Sequence, residues 1–275
     1  MNYLPKISIV TPSFNQGQFL EETIHSVLDQ KYENLEYIVI DGGSTDLSVD
    51  IIKKYDERIK YWVSEKDNGQ TQAINKGFER ATGDIIAYLN SDDRYCLNVF
   101  GKIAQYFAQH PNCMWLCGNI LFTDSSGSII ARKSPFYTPF VLRYGTASLY
   151  QPTIFLRRKL FQEAGCLREN YHAIMDREWY CRIAVLYEPH LIDMDIAYFR
   201  WHTNSKSSSK TNSLHHKLYI RERVEIAEHY IPWLRPLIHI FPRSFITVLE
   251  QISRGIKIIE RVKRILGISK VQKMR

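Results

Sequence analysis

The chain of 275 residues is 45% apolar and 24% charged, the balance of a soluble globular protein with one substantial core. Its net charge of +7 is uneven: residues 200–275 hold 16 Lys or Arg against 5 acids, and residues 1–199 hold 20 against 24, so the basic character belongs to the tail. No stretch nears the roughly 18 uninterrupted apolar residues of a spanning helix, and the five scattered cysteines lack zinc-finger spacing and read as free thiols.

In chain order, Lys6 to Pro12 reads as a short buried strand stopped by proline, and Ser13-Phe14-Asn15-Gln16-Gly17 as turn chemistry. Leu20, Ile24, Val27 and Leu28 share one helical face, with Glu21 and Glu22 in the first turn, where the helix dipole favours acids. Glu36 to Ile40 makes a second strand, ending in the glycine-rich loop Asp41-Gly42-Gly43-Ser44-Thr45-Asp46. The spacing of Val49, Ile51, Ile52 and Tyr55 then predicts a second helix. Tyr61-Trp62-Val63 is a third strand, Thr71 to Ala81 a third helix, and Asp84 to Leu89 a fourth strand running into Asn90-Ser91-Asp92-Asp93.

This alternation predicts a mostly parallel sheet with helices on both faces. In such sheets ligands bind beyond the carboxyl ends of the strands, where Thr11 to Asn15, Asp41 and Asn90 to Asp93 all stand. After Asp93 the pattern is less regular. It suggests a helix over 97–107, a strand over 114–117, a hairpin around Asp124-Ser125-Ser126-Gly127 and a strand over 153–156. Residues 205–210 are a low-complexity patch that reads as a mobile loop, and from His215 onward the chain reads as helices broken at Pro232, Pro236 and Pro242.

Paired carboxylates after a buried apolar strand are the strongest chemical feature, because Mg²⁺ and Mn²⁺ prefer oxygen ligands and commonly bridge protein acids to substrate phosphates. Asp92 and Asp93 supply such oxygens, although either also suits the cap of a following helix. Asp41 could accept a hydrogen bond from a base N–H such as that of uracil, although Asp-Gly is also ordinary turn material.

Taken together, Ile7 to Asn15, Asp41 to Asp46, Ala73-Ile74-Asn75-Lys76-Gly77, Ala81-Thr82-Gly83-Asp84 and Leu89-Asn90-Ser91-Asp92-Asp93 resemble the family-2 glycosyltransferases, in order and spacing, over residues 5–205 or so. The resemblance implies an α/β fold of the GT-A type: a single domain with a mostly parallel, Rossmann-like sheet flanked by helices, followed by a helical extension. It divides the chain into a catalytic domain over 1–210, with a nucleotide-sugar half to about residue 95 and an acceptor half beyond it, and a basic extension over 211–275. It also implies an inverting hexosyl transfer from a nucleotide sugar, with uridine favoured through Asp41, to a glycan or lipid-linked acceptor of the kind used in bacterial surface polysaccharide synthesis.

Carried over by position, Thr11, Pro12, Phe14 and Asn15 would line the base pocket, Asp41 would hold the base, and Asn75, Asn90 and Ser91 would complete the nucleotide site. Asp92 and Asp93, with His202 from Phe199-Arg200-Trp201-His202, would serve Mg²⁺ or Mn²⁺ and the diphosphate. Where the family's Asp-x-Asp element usually begins with an acid, this chain has Asn90, which adds no charge to a metal site. The segment Met175 to Arg182 resembles the family's acidic acceptor-side helix and puts Asp176 at the position of the base, with Glu178 one helical step further on. Taken alone, Asp176 is also what a helix dipole favours in a first turn.

In the tail, Ile252, Ile256, Ile259, Val262 and Leu266 keep helical spacing among Arg and Lys, which describes a basic amphipathic helix. Such a helix either lies on an anionic membrane surface or covers the domain with its apolar stripe. Met1 to Pro5 show neither a basic segment nor a small-residue cleavage site before Ile7, so the expected location is the cytoplasm, with possible contact at the inner face of the cell membrane. Nucleic acid is not expected as a partner, since the tail has charge but no binding module. A dinucleotide-binding oxidoreductase would need Gly-x-Gly-x-x-Gly after the first strand, where one glycine stands. A nucleotidyltransferase would need an early Gly-rich triphosphate loop, and none is visible. The remaining alternative is a scaffold at the membrane surface that binds nucleotide sugars without turnover.

Overall fold

The computed structural model describes residues 4–139, 142, 147–202 and 214–230, together with Gln251, Gly255 and Ile259. The patch at 205–210, the three prolines of the tail and most of the expected amphipathic helix lie outside the described residues. Among those described, no helix is long and apolar enough to cross a membrane.

The first half follows the predicted alternation: β1 (Ile7–Ser13), α1 (Gly17–Leu28), β2 (Leu35–Asp41), α2 (Ser48–Lys54), β3 (Tyr61–Ser64), α3 (Gln70–Arg80) and β4 (Ile85–Tyr88). The four strands pair in parallel in the order β3-β2-β1-β4. Every residue of β1 and β4 is buried, as strands covered on both faces require. Pro12 does not stop β1: the pairing with β4 ends at Val10, so Pro12 faces a neighbour on one side only, where its missing N–H is tolerated.

Beyond β4 the chain forms β5 (Arg94–Tyr95), α4 (Val99–Gln109), β6 (Trp115–Thr123), β7 (Ile129–Lys133), a 3-10 turn (Gln151–Thr153), β8 (Ile154–Arg157), α5 (Arg158–Ala164), α6 (Met175–Leu186), β9 (His190–Arg200) and α7 (Leu214–Tyr230). The sheet continues as β4-β8-β6-β9-β5, with β7 on β6. Of these pairs β6 with β9 is parallel and the others antiparallel, so the parallel block gives way to a mixed sheet.

Strand alternation splits the core between the two faces. Ile7, Ile9, Val39 and Ile85 pack with Leu20, Ile24 and Val27 of α1 and with α4. Val10, Ile38, Ile40 and Ile86 pack with α3, α5 and α6. Contact between α3 and β1 is close enough that a Cβ on Gly77 would lie 2.2 Å from Val10 Cγ1. Ile226 of α7 joins the second face, with Tyr219 and Tyr230 against it. The first helix of the expected extension is therefore packed on the core of the sheet.

At the amino end of the parallel block, the buried Glu36 accepts hydrogen bonds from Lys6 Nζ (2.8 Å), Ser8 Oγ, and Thr82 N and Oγ1 (both 2.7 Å). Burial pushes this carboxyl up, but its four donors outweigh that and hold it at about 2.

Candidate active site

The carboxyl ends of β1, β2 and β4 form one rim, and hydrogen bonds stitch its loops together. Gly42 N donates to Ser13 O (2.8 Å), Thr45 N to Asn15 Oδ1 (2.8 Å) and Asn15 N to Ser44 Oγ (2.8 Å). Asn15 adopts φ 50°, a left-handed conformation that asparagine tolerates. Asp46 accepts the N–H groups of Gly17 (2.8 Å) and Ser48 (2.9 Å), closing the rim over α1.

This rim separates the expected nucleotide contacts into two groups. Phe14 is 59% exposed and Asn15 is exposed, so a base can reach them. Thr11 instead lies in the core, its hydroxyl accepting from Tyr37 Oη at 3.0 Å, and Pro12 is buried. Asp41 is fully buried. Its Oδ2 accepts from Gly43 N (3.1 Å), Ser44 N (2.8 Å) and Ser64 Oγ (2.7 Å), and its Oδ1 from Ser44 Oγ (2.6 Å), so it shapes the loop. A carboxylate with free surface packed against that loop is Asp67. It is half-buried, Gly69 N donates to its Oδ1 at 2.8 Å, and a Cβ on Gly42 would lie 2.9 Å from its Oδ2. The turn Asp67-Asn68-Gly69 after the third strand is the signal that sequence reasoning passed over. Asn75 does not reach the rim either: its Nδ2 donates to Leu167 O and its Oδ1 accepts from Leu167 N, both at 2.9 Å, tying α3 to the segment before α6.

After β4, Asn90 is held by two amides: Gln70 Nε2 donates to its Oδ1 (2.7 Å), and its Nδ2 donates to Gln151 Oε1 (3.3 Å). Ser91 is buried, and its carbonyl accepts from Thr23 Oγ1 at 3.0 Å. The acidic pair then divides. Asp92 faces His202, Oδ2 to Nε2 at 3.0 Å, across 110 residues of sequence. Asp93 turns inward and is 1% exposed; its Oδ1 accepts from Arg200 N (3.1 Å), and its Oδ2 has no hydrogen-bond partner. Burial, and after it the charge of Asp92, push the Asp93 carboxyl well above the usual carboxylate range. Asp93 thus pins the end of β9 to the β4 loop instead of facing a ligand.

Arg200, a buried side chain that the sequence did not single out, locks the same junction. It donates to Glu22 Oε2 (2.6 Å), Asp92 O (3.3 Å) and Ser125 O (3.1 Å), and its guanidinium lies 4.7 Å from the ring centre of Phe19. His202 packs on that ring at 4.8 Å, so its approach to Asp92 is held from behind.

The pair of Asp92 and His202 could hold a divalent cation. Two ligands at right angles around an ion with bonds of about 2.1 Å stand about 3.0 Å apart, the spacing found here. Among the described residues no three His, Cys, Asp or Glu converge. Two protein ligands, with the remainder from phosphate oxygens and water, are the usual number for a cation shared with a substrate phosphate; the carboxylate suits Mg²⁺ or Mn²⁺, whereas the imidazole is not a typical Mg²⁺ ligand.

On the other side of β4, Asp176 stands in the first turn of α6, half-buried, its Oδ1 accepting from Arg177 N at 2.8 Å. Burial raises its carboxyl, and the charge of Arg177 only partly offsets that. Its own charge adds to the burial that pushes the phenol of Tyr88, on β4, far above its ordinary value. The charge of Asp93 acts on the same phenol as a smaller effect. Glu178 has a different job from the one expected of it. At 1% exposure it is paired with Arg182 (3.0 Å) and Arg168 (3.4 Å), and Arg182 in turn donates to Ala164 O and Cys166 O at 2.6 Å each. It ties α6 to the end of α5.

Comparison with known proteins gives the family and the fold. The family model described as Glycosyl transferase family 2 matches residues 8–165. A putative teichuronic acid biosynthesis glycosyltransferase, TuaG of Bacillus subtilis, is 30% identical over 229 residues, covering 76% of this chain and 87% of its own. The crystal structure of S. aureus TarS 1-349 in complex with UDP-GlcNAc aligns with a TM-score of 0.62 at 17% identity, over 80% of this chain and 66% of that one. The mannosyltransferase PcManGT of Pyrobaculum calidifontis, in complex with GDP-Man and Mn2+, aligns with a TM-score of 0.58 at 16% identity, over 92% and 74%. Both structures share the fold.

Proposed function

The chain belongs to glycosyl transferase family 2, and from that premise we propose that it moves a hexosyl group from a UDP-sugar to a glycan or lipid-linked acceptor with inversion at the anomeric carbon. The observation that carries the reading is the contact between Asp92 and His202, which brings a carboxylate and an imidazole from two distant parts of the chain within 3.0 Å of each other.

The exposed Phe14 offers a stacking face to the base, and Asp67 a carboxylate oxygen to its N–H. Asp41 acts behind them by ordering the loop. Asp92 and His202 would hold Mg²⁺ or Mn²⁺, and such an ion would supply Lewis-acid stabilisation of the negative charge that grows on the leaving diphosphate. Asp176 takes the proton of the acceptor hydroxyl as its oxygen bonds to the anomeric carbon and the bond to the diphosphate oxygen breaks on the opposite side. A carboxyl raised by burial is a stronger base than an exposed one, which suits this role.

The tail supports a peripheral contact with the cytoplasmic face of an anionic membrane. Residues 200–275 carry 16 cations against 5 acids, and Ile259 is helical and 57% exposed. Each cation near such a surface contributes about 1 kcal/mol.

The test is a panel of nucleotide sugars scored for diphosphate release with Mn²⁺ and with chelator, on wild type and Asp176→Asn. UDP binding by Asp176→Asn is expected to stay within about threefold of wild type, while turnover falls on the order of 10²–10⁴-fold. Full turnover in that variant removes Asp176 as the base. Nucleotide binding without release from any donor supports the scaffold reading instead.

A further inference from the structure

The segment that leads into α6 has three consecutive backbone donors, and one side chain from outside the catalytic sequence motifs accepts all of them. Glu222 of α7, 3% exposed, receives His172 N on Oε1 (2.8 Å) and both Ala173 N and Ile174 N on Oε2 (2.9 Å each). Ile174 is the residue before the first turn of α6, and that helix has no side-chain cap of its own. Two residues later comes Asp176. The backbone path into the helix is therefore set by a carboxylate 48 residues further along the chain, delivered by a helix anchored through the buried Ile226.

We propose that Glu222 is a positioning residue for the transfer reaction, fixing Asp176 against the acceptor by clasping the three N–H groups that precede α6. This makes α7 part of the transferase and not an appendage, and it rests on the reading of Asp176 as the base. The groups facing Asp176 are Arg177 on its own helix, Tyr180 one turn on, Tyr88 of β4 and Glu222 itself. Glu222 acts in two ways. It holds the backbone, and its negative charge disfavours ionisation of Asp176, adding to the larger effect of burial.

These two actions separate in variants of the full chain, assayed by UDP released from the UDP-sugar that the donor panel selects. Glu222→Gln keeps the size of the side chain but loses the charge and one acceptor. Its kcat is expected to fall tenfold to a hundredfold, on the order of what a misplaced catalytic group costs, with donor KM within about twofold because the rim and Asp92 are untouched. Removing the like charge lets Asp176 ionise at lower pH, so the acid limb of the kcat profile is expected to move down. A kcat or an acid limb that stays at the wild-type position overturns the proposal.

Glu222→Asp provides the second arm if Glu222→Gln does not fold. It keeps the charge and withdraws the carboxylate by one methylene, so kcat must fall while the acid limb stays in place; wild-type kcat there also overturns the proposal. Asp176→Asn separates this failure from that of the underlying reading. Turnover retained in Asp176→Asn defeats the base assignment, whereas turnover lost there but unchanged in the Glu222 variants defeats the positioning role alone.

Discussion

The parallel half and the mixed half of this sheet hold their functional side chains by different means. In the parallel half neighbouring strands carry neighbouring loops, and bonds such as Thr45 N to Asn15 Oδ1 span 30 residues between elements already paired by backbone. In the mixed half the positions depend on isolated buried side chains. Asn75 grips Leu167 across 92 residues, Asp93 grips Arg200 across 107, and Glu222 grips the start of α6. The rim of the parallel half is thus a product of sheet topology, while the side that bears Asp176 is assembled by a few polar tethers, each buried and each costly to lose.

The variant expected to have the largest effect tests whether the halves truly meet. Asp92 belongs to the first and His202 to the second. Asp92→Ala is expected to reduce diphosphate release by about a thousandfold. His202→Ala is expected to cost about ten- to a hundredfold and to raise the Mn²⁺ concentration needed for half-maximal rate. An unchanged Mn²⁺ requirement in His202→Ala would mean that the halves do not share an ion.

Next in size is a contrast within α6, where Asp176 and Glu178 are two residues apart and differ in role. Glu178→Ala strands Arg182 among buried groups and is expected to cost about 3 kcal/mol of stability in denaturant unfolding, with turnover per folded molecule within a few-fold. A large loss of turnover at unchanged stability would return Glu178 to the chemistry.

The smallest expected effect belongs to the parallel half, at Glu36. Its folded carboxyl stands at about 2, below its ordinary value of 4.5, so its stabilisation is complete above 4.5 and is lost as pH falls from there toward 2. Acid titration of the unfolding free energy should show a loss on the order of 2–3 kcal/mol across that window in wild type, and a flatter curve in Glu36→Gln.

Much of the first half was legible in the amino-acid sequence. Strands covered on both faces are continuous apolar runs, helices have 3.6-residue spacing, and a chain that alternates them has few ways to fold. The alternation of β1 to β4 with helices, the parallel sheet and the loops at its carboxyl ends followed from that, and the family was read from the resemblance of the motifs at those ends. The strands β5 and β9 and the helix α5 were not read, because a two-residue strand has no period and β9 mixes charged with apolar residues along its length.

Sequence by itself determined which residue types stand at the strand ends, and so the class of reaction. Tertiary structure decided which of them face the crevice. Asp92 and Asp93 are adjacent in the chain and alike in chemistry, yet one meets His202 and the other is sealed beneath Arg200. Thr11 and Asn75 carry ordinary ligand-binding groups, and both spend them inside the core. The physical reason is that a side chain's direction depends on local backbone geometry and on which distant group packs against it, and buried polar atoms take whichever partners the fold supplies. No motif encodes that choice, because the partner is 26, 92 or 107 residues away.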